Sequence, residues 1–285
     1  MKSLDKLKQA TERLEKSGIE DAAREAETIL IHCLRTDRSA FYRDNPIIPE
    51  SVLERIDEFL DRRSKKEPLQ YILGYVDFCG MKMRVGKGVL IPRPETELLA
   101  EEIIKTVKRA VLGVSLNILD LCTGSGCLAL AIAKEFPDAQ VYGTDVSEIA
   151  IRYAKENAEI NSIKNVTFLK GSLFEPITEL LIFDLIISNP PYIKRDDIRN
   201  LQPEIKDWEP LEALEGGKDG LDFYRLIIPE SRGYLKDSGC LMLELGISQA
   251  DAIRELAVKA GFKDIYFKKD YAGIERILIA RNILK

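Results

Sequence analysis

Asn189-Pro190-Pro191-Tyr192 closes the apolar run Leu181-Ile182-Phe183-Asp184-Leu185-Ile186-Ile187-Ser188. Neither proline can donate a backbone hydrogen bond, so a strand entering this tetrapeptide must stop and leave carbonyls free at its carboxyl end. In open α/β sheets that end is where ligands bind. An Asn side-chain oxygen and a free Pro carbonyl can accept both protons of a planar NH2 group, and a Tyr ring can pack against its face. The tetrapeptide points to chemistry on an amide or amino nitrogen.

A second cluster lies upstream, where Asp120-Leu121-Cys122-Thr123-Gly124-Ser125-Gly126 leads from one apolar run into another. Glycines at a strand-to-helix turn let the backbone approach a ligand closely, and the following helix N-terminus favours negative charge. Gly124, Gly126 and Ala129 satisfy the G-x-G-x-x-A spacing, and Asp145 stands about 20 residues on, placed to hold a ribose. Three readings share this pattern: a tight turn with no ligand, a nicotinamide or flavin site, and an S-adenosylmethionine site. Asp120 at the strand end, Thr123 before the first glycine and the later Asn-Pro-Pro-Tyr site favour the third.

The elements that must position these residues follow from periodicity. Leu4, Leu7, Ala10 and Leu14 share one helical face, and Ala22, Ala23, Ala26, Ile29, Leu30, Cys33 and Leu34 another. A third helix is predicted from Ser51, with Glu54 at capping-box spacing. Residues 1–70 thus read as a small helical domain that recognises a substrate. Residues 71–95 read as a linker: Tyr71 to Phe78 pairs across Cys79-Gly80 with Met81, Met83 and Val85 as a β-hairpin, and Pro92 and Pro94 hold the chain extended. From 96 to 285 the pattern is a helix from Thr96 toward Val111, then alternating strands and helices. The strands are 118–122, 140–145, 166–170, 183–188, 240–245, 264–268 and 276–280. The helices between them are 127–136, 147–161, 221–234 and 249–260. Strands so separated form a parallel sheet with right-handed crossovers, giving a doubly wound seven-stranded α/β domain. Ile193 to Lys218 is an irregular insertion directly after the Pro-Pro site, a candidate lid or substrate loop.

Composition narrows the function classes. With 42 basic and 47 acidic residues the net charge is -5, which opposes charge-driven wrapping of duplex nucleic acid. Five cysteines without a C-x-x-C pair fit reduced thiols and a cytoplasmic protein. The charged N-terminus and the lack of a long apolar run predict neither signal peptide nor membrane span. A single histidine, His32, excludes metal sites built on several histidines.

Asp120-x-x-Thr123-Gly124-Ser125-Gly126 together with Asn189-Pro190-Pro191-Tyr192 resembles the class I S-adenosylmethionine-dependent methyltransferases that act on amino or amide nitrogens. Three further segments narrow the resemblance: Pro68 to Gly74, Leu90 to Glu97, and Glu209 to Tyr224. With them nearly the whole chain resembles the release-factor glutamine methyltransferases, which methylate the side-chain amide nitrogen of the glutamine in the Gly-Gly-Gln loop of peptide chain release factors. The resemblance implies S-adenosyl-L-methionine as cofactor and a release factor as protein partner, with no direct nucleic-acid target. It assigns Cys122, Thr123, Gly124, Ser125 and Gly126 to the methionine portion of the cofactor, Asp145 to its ribose, and Ser172 and Leu173 to its adenine. Asn189 lies between cofactor and substrate, and Asn189, Pro190, Pro191 and Tyr192 grip the glutamine. Arg93 and Thr96 help to close the cofactor pocket. Two positions depart from the family pattern: Ser172 stands where an acidic residue is usual, and Cys122 where glycine is common.

The implied mechanism is a direct in-line methyl transfer with Asn189, Pro190 and Tyr192 as the catalytic residues. Rival readings are a ribosomal-protein glutamine methyltransferase, a DNA adenine-N6 methyltransferase, whose target presents a similar NH2 group, and a non-catalytic cofactor-binding regulator. The charge balance opposes the DNA reading, and the complete glycine turn with Asn-Pro-Pro-Tyr opposes the regulator.

Overall fold

In the computed structural model, residues 1–110, 116–178 and 180–282 are described. The chain divides into two units, one of residues 1–75 with 202–208, the other of residues 76–201 with 209–285.

The first unit is helical: α1 (Ser3–Lys16), α2 (Ala22–Leu34), α3 (Arg38–Asp44), α4 (Glu50–Ser64) and α5 (Leu69–Leu73). The predicted stripes form much of its core, with Leu14, Ile29, Leu30, Ile56 and Leu60 at most 1% exposed, but Ala23 is exposed and Phe41, which no stripe included, is fully buried. Three expectations are corrected here. The helix over 50–64 starts before Ser51, with Pro49 ahead of it and no side-chain cap, so the Ser51–Glu54 box does not form. A short helix, α3, precedes it, capped by the Asp37 carboxylate, which accepts from Ala40 N at 2.9 Å. Tyr71 to Leu73 is helical rather than extended, and Gly74 at φ 82° ends it.

A hairpin follows, β1 (Tyr75–Phe78) and β2 (Met81–Arg84), that turns at Cys79-Gly80 as expected, and from Val76 on it belongs to the second unit. Helix α6 (Pro94–Ala110) begins at Pro94, two residues before the expected Thr96, because proline's fixed φ suits a first helical turn. Its expected end at Val111 lies outside the described residues. There follow β3 (Asn117–Leu121), α7 (Cys127–Glu135), β4 (Gln140–Asp145), α8 (Glu148–Ile160), β5 (Val166–Lys170) and β6 (Phe183–Ser188). The insertion after β6 is more ordered than the sequence suggests. It holds a 3-10 turn over Arg195–Asn200, the short α9 (Pro203–Lys206) that belongs to the first unit, and a second 3-10 turn over Leu211–Ala213. Helix α10 (Asp222–Tyr234), β7 (Leu235–Glu244), α11 (Ala250–Ala260), β8 (Asp264–Lys269) and β9 (Glu275–Arg281) complete the chain.

The seven large-sheet strands run β5-β4-β3-β6-β7-β9-β8. Strands β3 to β7 are parallel, but β9 is antiparallel to both its neighbours. The all-parallel expectation fails at this edge because too few residues separate β8 from β9 for a crossover, leaving only a hairpin. Strand order reverses between β3 and β6, and the crevice of such a sheet opens at that point. Register places Thr144, Leu121, Ser188 and Leu243 side by side. The next residues, Asp145, Cys122, Asn189 and Glu244, therefore form one row along the carboxyl edge.

Candidate active site

The turn between β3 and α7 is held in a tight conformation. Cys122 has φ 55°, Gly124 55° and Gly126 80°, so Cys122 holds a left-handed backbone that glycine would adopt more readily. Thr123 N donates to Thr144 O at 2.9 Å, and Gly126 N to Thr123 O at 2.8 Å. Fully buried Asn157 of α8 donates to Ser125 O and to Arg84 O, both at 3.0 Å, and accepts from Arg84 N at 2.6 Å. One side chain thus fastens both the glycine turn and the hairpin.

Carboxylates ring this turn. Asp145 accepts from Gly124 N at 2.9 Å and from Ser147 N at 2.8 Å, and burial raises its pKa despite those two bonds. Asp120 is 1% exposed, and its Oδ2 accepts from Thr123 Oγ1 at 2.5 Å and from Ala129 N at 3.3 Å. Its Oδ1 has no hydrogen-bond partner among the described residues. Burial pushes the Asp120 carboxyl up to about 7. A buried acceptor left over in this way calls for a donor from a ligand.

An open cavity occupies the crevice at the carboxyl ends of the strands, where sheets of this kind bind ligands. Cys122, Thr123, Gly124 and Ser125 form one part of its wall, Asp145, Ser172 and Leu173 another, and Asn189 and Pro191 a third. The structure thus brings together residues separated by nearly seventy positions in the chain. Gly126, Pro190 and Tyr192 are not among the described residues of the wall. Gly126 ends the turn, and a Cβ there would stand 2.9 Å from Phe168 Cζ. Pro190 is buried. Ser172 is exposed at the rim, with its N–H donating to Glu175 Oε2 at 3.0 Å. Thr96 joins the wall, whereas Arg93 is absent from it and forms an ion pair with Glu209, whose carboxylate also accepts from Ile91 N at 3.1 Å.

Asn189 donates its amide nitrogen to Thr96 Oγ1 at 3.0 Å. Thr96 Oγ1 donates to Glu244 Oε2 at 2.8 Å, and Tyr192 Oη donates to Glu244 Oε1 at 3.3 Å. The Tyr192 carbonyl accepts from Gln249 Nε2 at 3.0 Å, which ties the tetrapeptide to the start of α11. Sequence reasoning missed Glu244 and Gln249, and also Val89, Val146 and Phe223 of the cavity wall. Glu244 did carry a signal: a lone acid ending the apolar run Cys240-Leu241-Met242-Leu243, in the position that Asp145 and Asn189 hold on their own strands.

Numbered within the large sheet alone, the strand order is 3-2-1-4-5-7-6, with a glycine turn after strand 1 and an acid after strand 2. This fold and site define a class I S-adenosylmethionine-dependent methyltransferase. The family description "Methyltransferase domain" matches residues 112–244, and "PrmC N-terminal domain" matches residues 5–74. The release factor glutamine methyltransferase of Thermodesulfovibrio yellowstonii is 48% identical over 282 residues, 99% of either chain. That of Geobacter sulfurreducens is 45% identical over 270 residues, 94% of this chain and 92% of its own. A crystal structure of a methyltransferase from Pyrococcus furiosus shares the fold, with a TM-score of 0.54 and 23% identity over 72% of this chain and 90% of that one. The chain belongs to the release factor glutamine methyltransferase family.

Proposed function

We propose that the chain transfers a methyl group from S-adenosylmethionine to the side-chain amide nitrogen of the glutamine in the Gly-Gly-Gln motif of a peptide chain release factor, supporting translation termination. The observation that carries the site assignment is the orientation of Asn189. Its NH2 group is committed to Thr96, and its Oδ1 accepts no hydrogen bond among the described residues of the cavity. The two relatives, each named a release factor glutamine methyltransferase, support the choice of substrate.

S-adenosylmethionine, when bound, supplies an electrophilic methyl group on a sulfonium. Cys122 to Gly126 would hold its methionine portion, Asp120 and Asp145 offer acceptors to its ammonium and ribose hydroxyls, and Ser172 and Leu173 would flank its adenine. The orphaned Asp120 oxygen and the acceptor capacity remaining on Asp145 suit a cationic, hydroxyl-bearing ligand.

An amide nitrogen is a poor nucleophile because its lone pair is delocalised into the carbonyl. Asn189 Oδ1 and the Pro190 carbonyl would accept its two protons out of plane, which localises the lone pair on nitrogen. Tyr192, fixed through its hydroxyl and its carbonyl, would pack against the amide. Holding the amide in one orientation can contribute on the order of 7 kcal/mol. No base has to act first, since the nitrogen becomes acidic once methylated and then loses its proton to water. Recognition of the release factor is assigned to residues 1–70, linkage to 71–95 and methyl transfer to 96–285.

Mass spectrometry of a purified release factor incubated with enzyme and S-adenosylmethionine tests the reading. The expected result is one added methyl on the Gly-Gly-Gln glutamine. Transfer to DNA and none to release factor would overturn it. Asn189→Ala should lower kcat roughly 100-fold or more while S-adenosylmethionine affinity changes only slightly.

A further inference from the structure

Glu244 ends β7 at the carboxyl edge of the sheet, 2% exposed, in the same row as Asn189. A hydroxyl has one proton, and Thr96 gives its proton to Glu244. Toward Asn189 the Thr96 oxygen can therefore only accept, and the Asn189 NH2 must face it. The two ends of an Asn amide point apart, so the Oδ1 is turned away from Thr96.

We propose that Glu244 is a positioning residue for methyl transfer: through the Thr96 hydroxyl its carboxylate sets which end of the Asn189 amide faces the substrate. The inference rests on the reading of Asn189 Oδ1 as an acceptor for the substrate amide. A protonated Glu244 can donate to the Thr96 oxygen, which frees the Thr96 proton for Asn189 Oδ1. The Asn189 amide then turns over and presents NH2 to NH2, which repels. Burial raises the Glu244 pKa to about 7, against the hydrogen bonds from Thr96 and Tyr192 and the charge of Arg276 on β9. Glu95 on α6 adds to the rise, and Tyr224 on α10 donates its hydroxyl to the Glu244 carbonyl at 2.8 Å.

The experiment uses the full chain, S-adenosylmethionine and a purified release factor. Glu244→Gln should lower kcat at least about tenfold, with cofactor affinity within about twofold of wild type. Wild-type kcat should fall as pH drops through about 7, and that limb should be absent in the variant. Thr96→Val should reproduce the loss, Thr96→Ser should recover most of it, and Thr96→Val combined with Glu244→Gln should cost no more than either alone. Unchanged kcat in Glu244→Gln, multiplying losses in the double variant, or cofactor affinity falling in step with kcat would each overturn the inference. Should Glu244→Gln fail to fold, Thr96→Val decides: reduced kcat at unchanged cofactor affinity supports the relay, and wild-type kcat ends it. Asn189→Ala separates the two levels. If it keeps its kcat, the acceptor reading fails and takes this inference with it; if it loses kcat while Glu244→Gln does not, only the present inference fails.

Discussion

Asp120 carries the largest unmet electrostatic demand among the described wall residues: a carboxylate with one oxygen bonded and one orphaned, desolvated until its pKa is about 7. A cationic ligand answers that demand, while in the free protein the charge is a cost. Asp120→Asn should therefore weaken S-adenosylmethionine binding by about tenfold, the loss of one charge-assisted contact, and raise the melting midpoint of the free protein at pH 8. Calorimetric titration and thermal denaturation check the two halves, and tighter binding would sink the argument. At this scale the sequence was legible where chemistry is local. Asn189, Asp145 and the glycine turn announce themselves by spacing to a strand end. Glu244 acts through Thr96, 148 positions away in the chain, and that pairing exists only once α6 packs against β7. Ser172 sits exposed at the rim, so a short hydroxyl there leaves no buried partner unmet.

Among elements, the turn from β3 to α7 has the least freedom. Gly126 needs a positive φ, and a Cβ would meet Phe168 Cζ at 2.9 Å and Ala154 Cβ at 3.1 Å. Gly126→Ala should cost roughly 2–4 kcal/mol from left-handed backbone and overpacking combined. Urea denaturation measures it, and a shift below about 0.5 kcal/mol would show that the turn relaxes freely. The strands over 140–145, 166–170 and 183–188 were legible to the residue, because apolar runs bounded by Asp, Lys or Asn-Pro leave little choice of ends. Elements whose identity depends on neighbours were not. Tyr71-Ile72-Leu73 reads equally as strand or helix until Pro68 and Gly74 are seen to cap a single turn. β7 begins at Leu235, five residues before its apolar run, because Leu235 pairs with Phe183 across a bulge that no periodicity signals.

For the molecule as a whole, burying acids makes stability depend on pH. Asp120 and Glu244 are held at about 7 against ordinary values of 3.8 and 4.5, and Asp145 and Glu209 are also raised by burial. Between about pH 4 and pH 7 the folded chain thus binds more protons than the unfolded chain, so stability falls as pH rises through that window. The cost is absent below it and complete above it. The unfolding free energy of the free protein, from urea titration, should drop from pH 5.5 to pH 8 by an amount on the order of a few kcal/mol, with the midpoint falling in step, and saturating S-adenosylmethionine should flatten the slope. A midpoint that rises over this range would contradict the assignment of these groups. Residues 202–208 have a consequence of another kind. They belong to the helical unit although the chain reaches them only after Asn-Pro-Pro-Tyr, and there Glu204 meets the buried Arg63 at 3.1 Å beside Glu25. The unit is therefore discontinuous in the gene. Recombination between relatives cannot exchange it with one crossover near residue 75, because a hybrid made that way pairs one parent's Arg63 with the other parent's α9, and the two stretches are inherited as a linked pair.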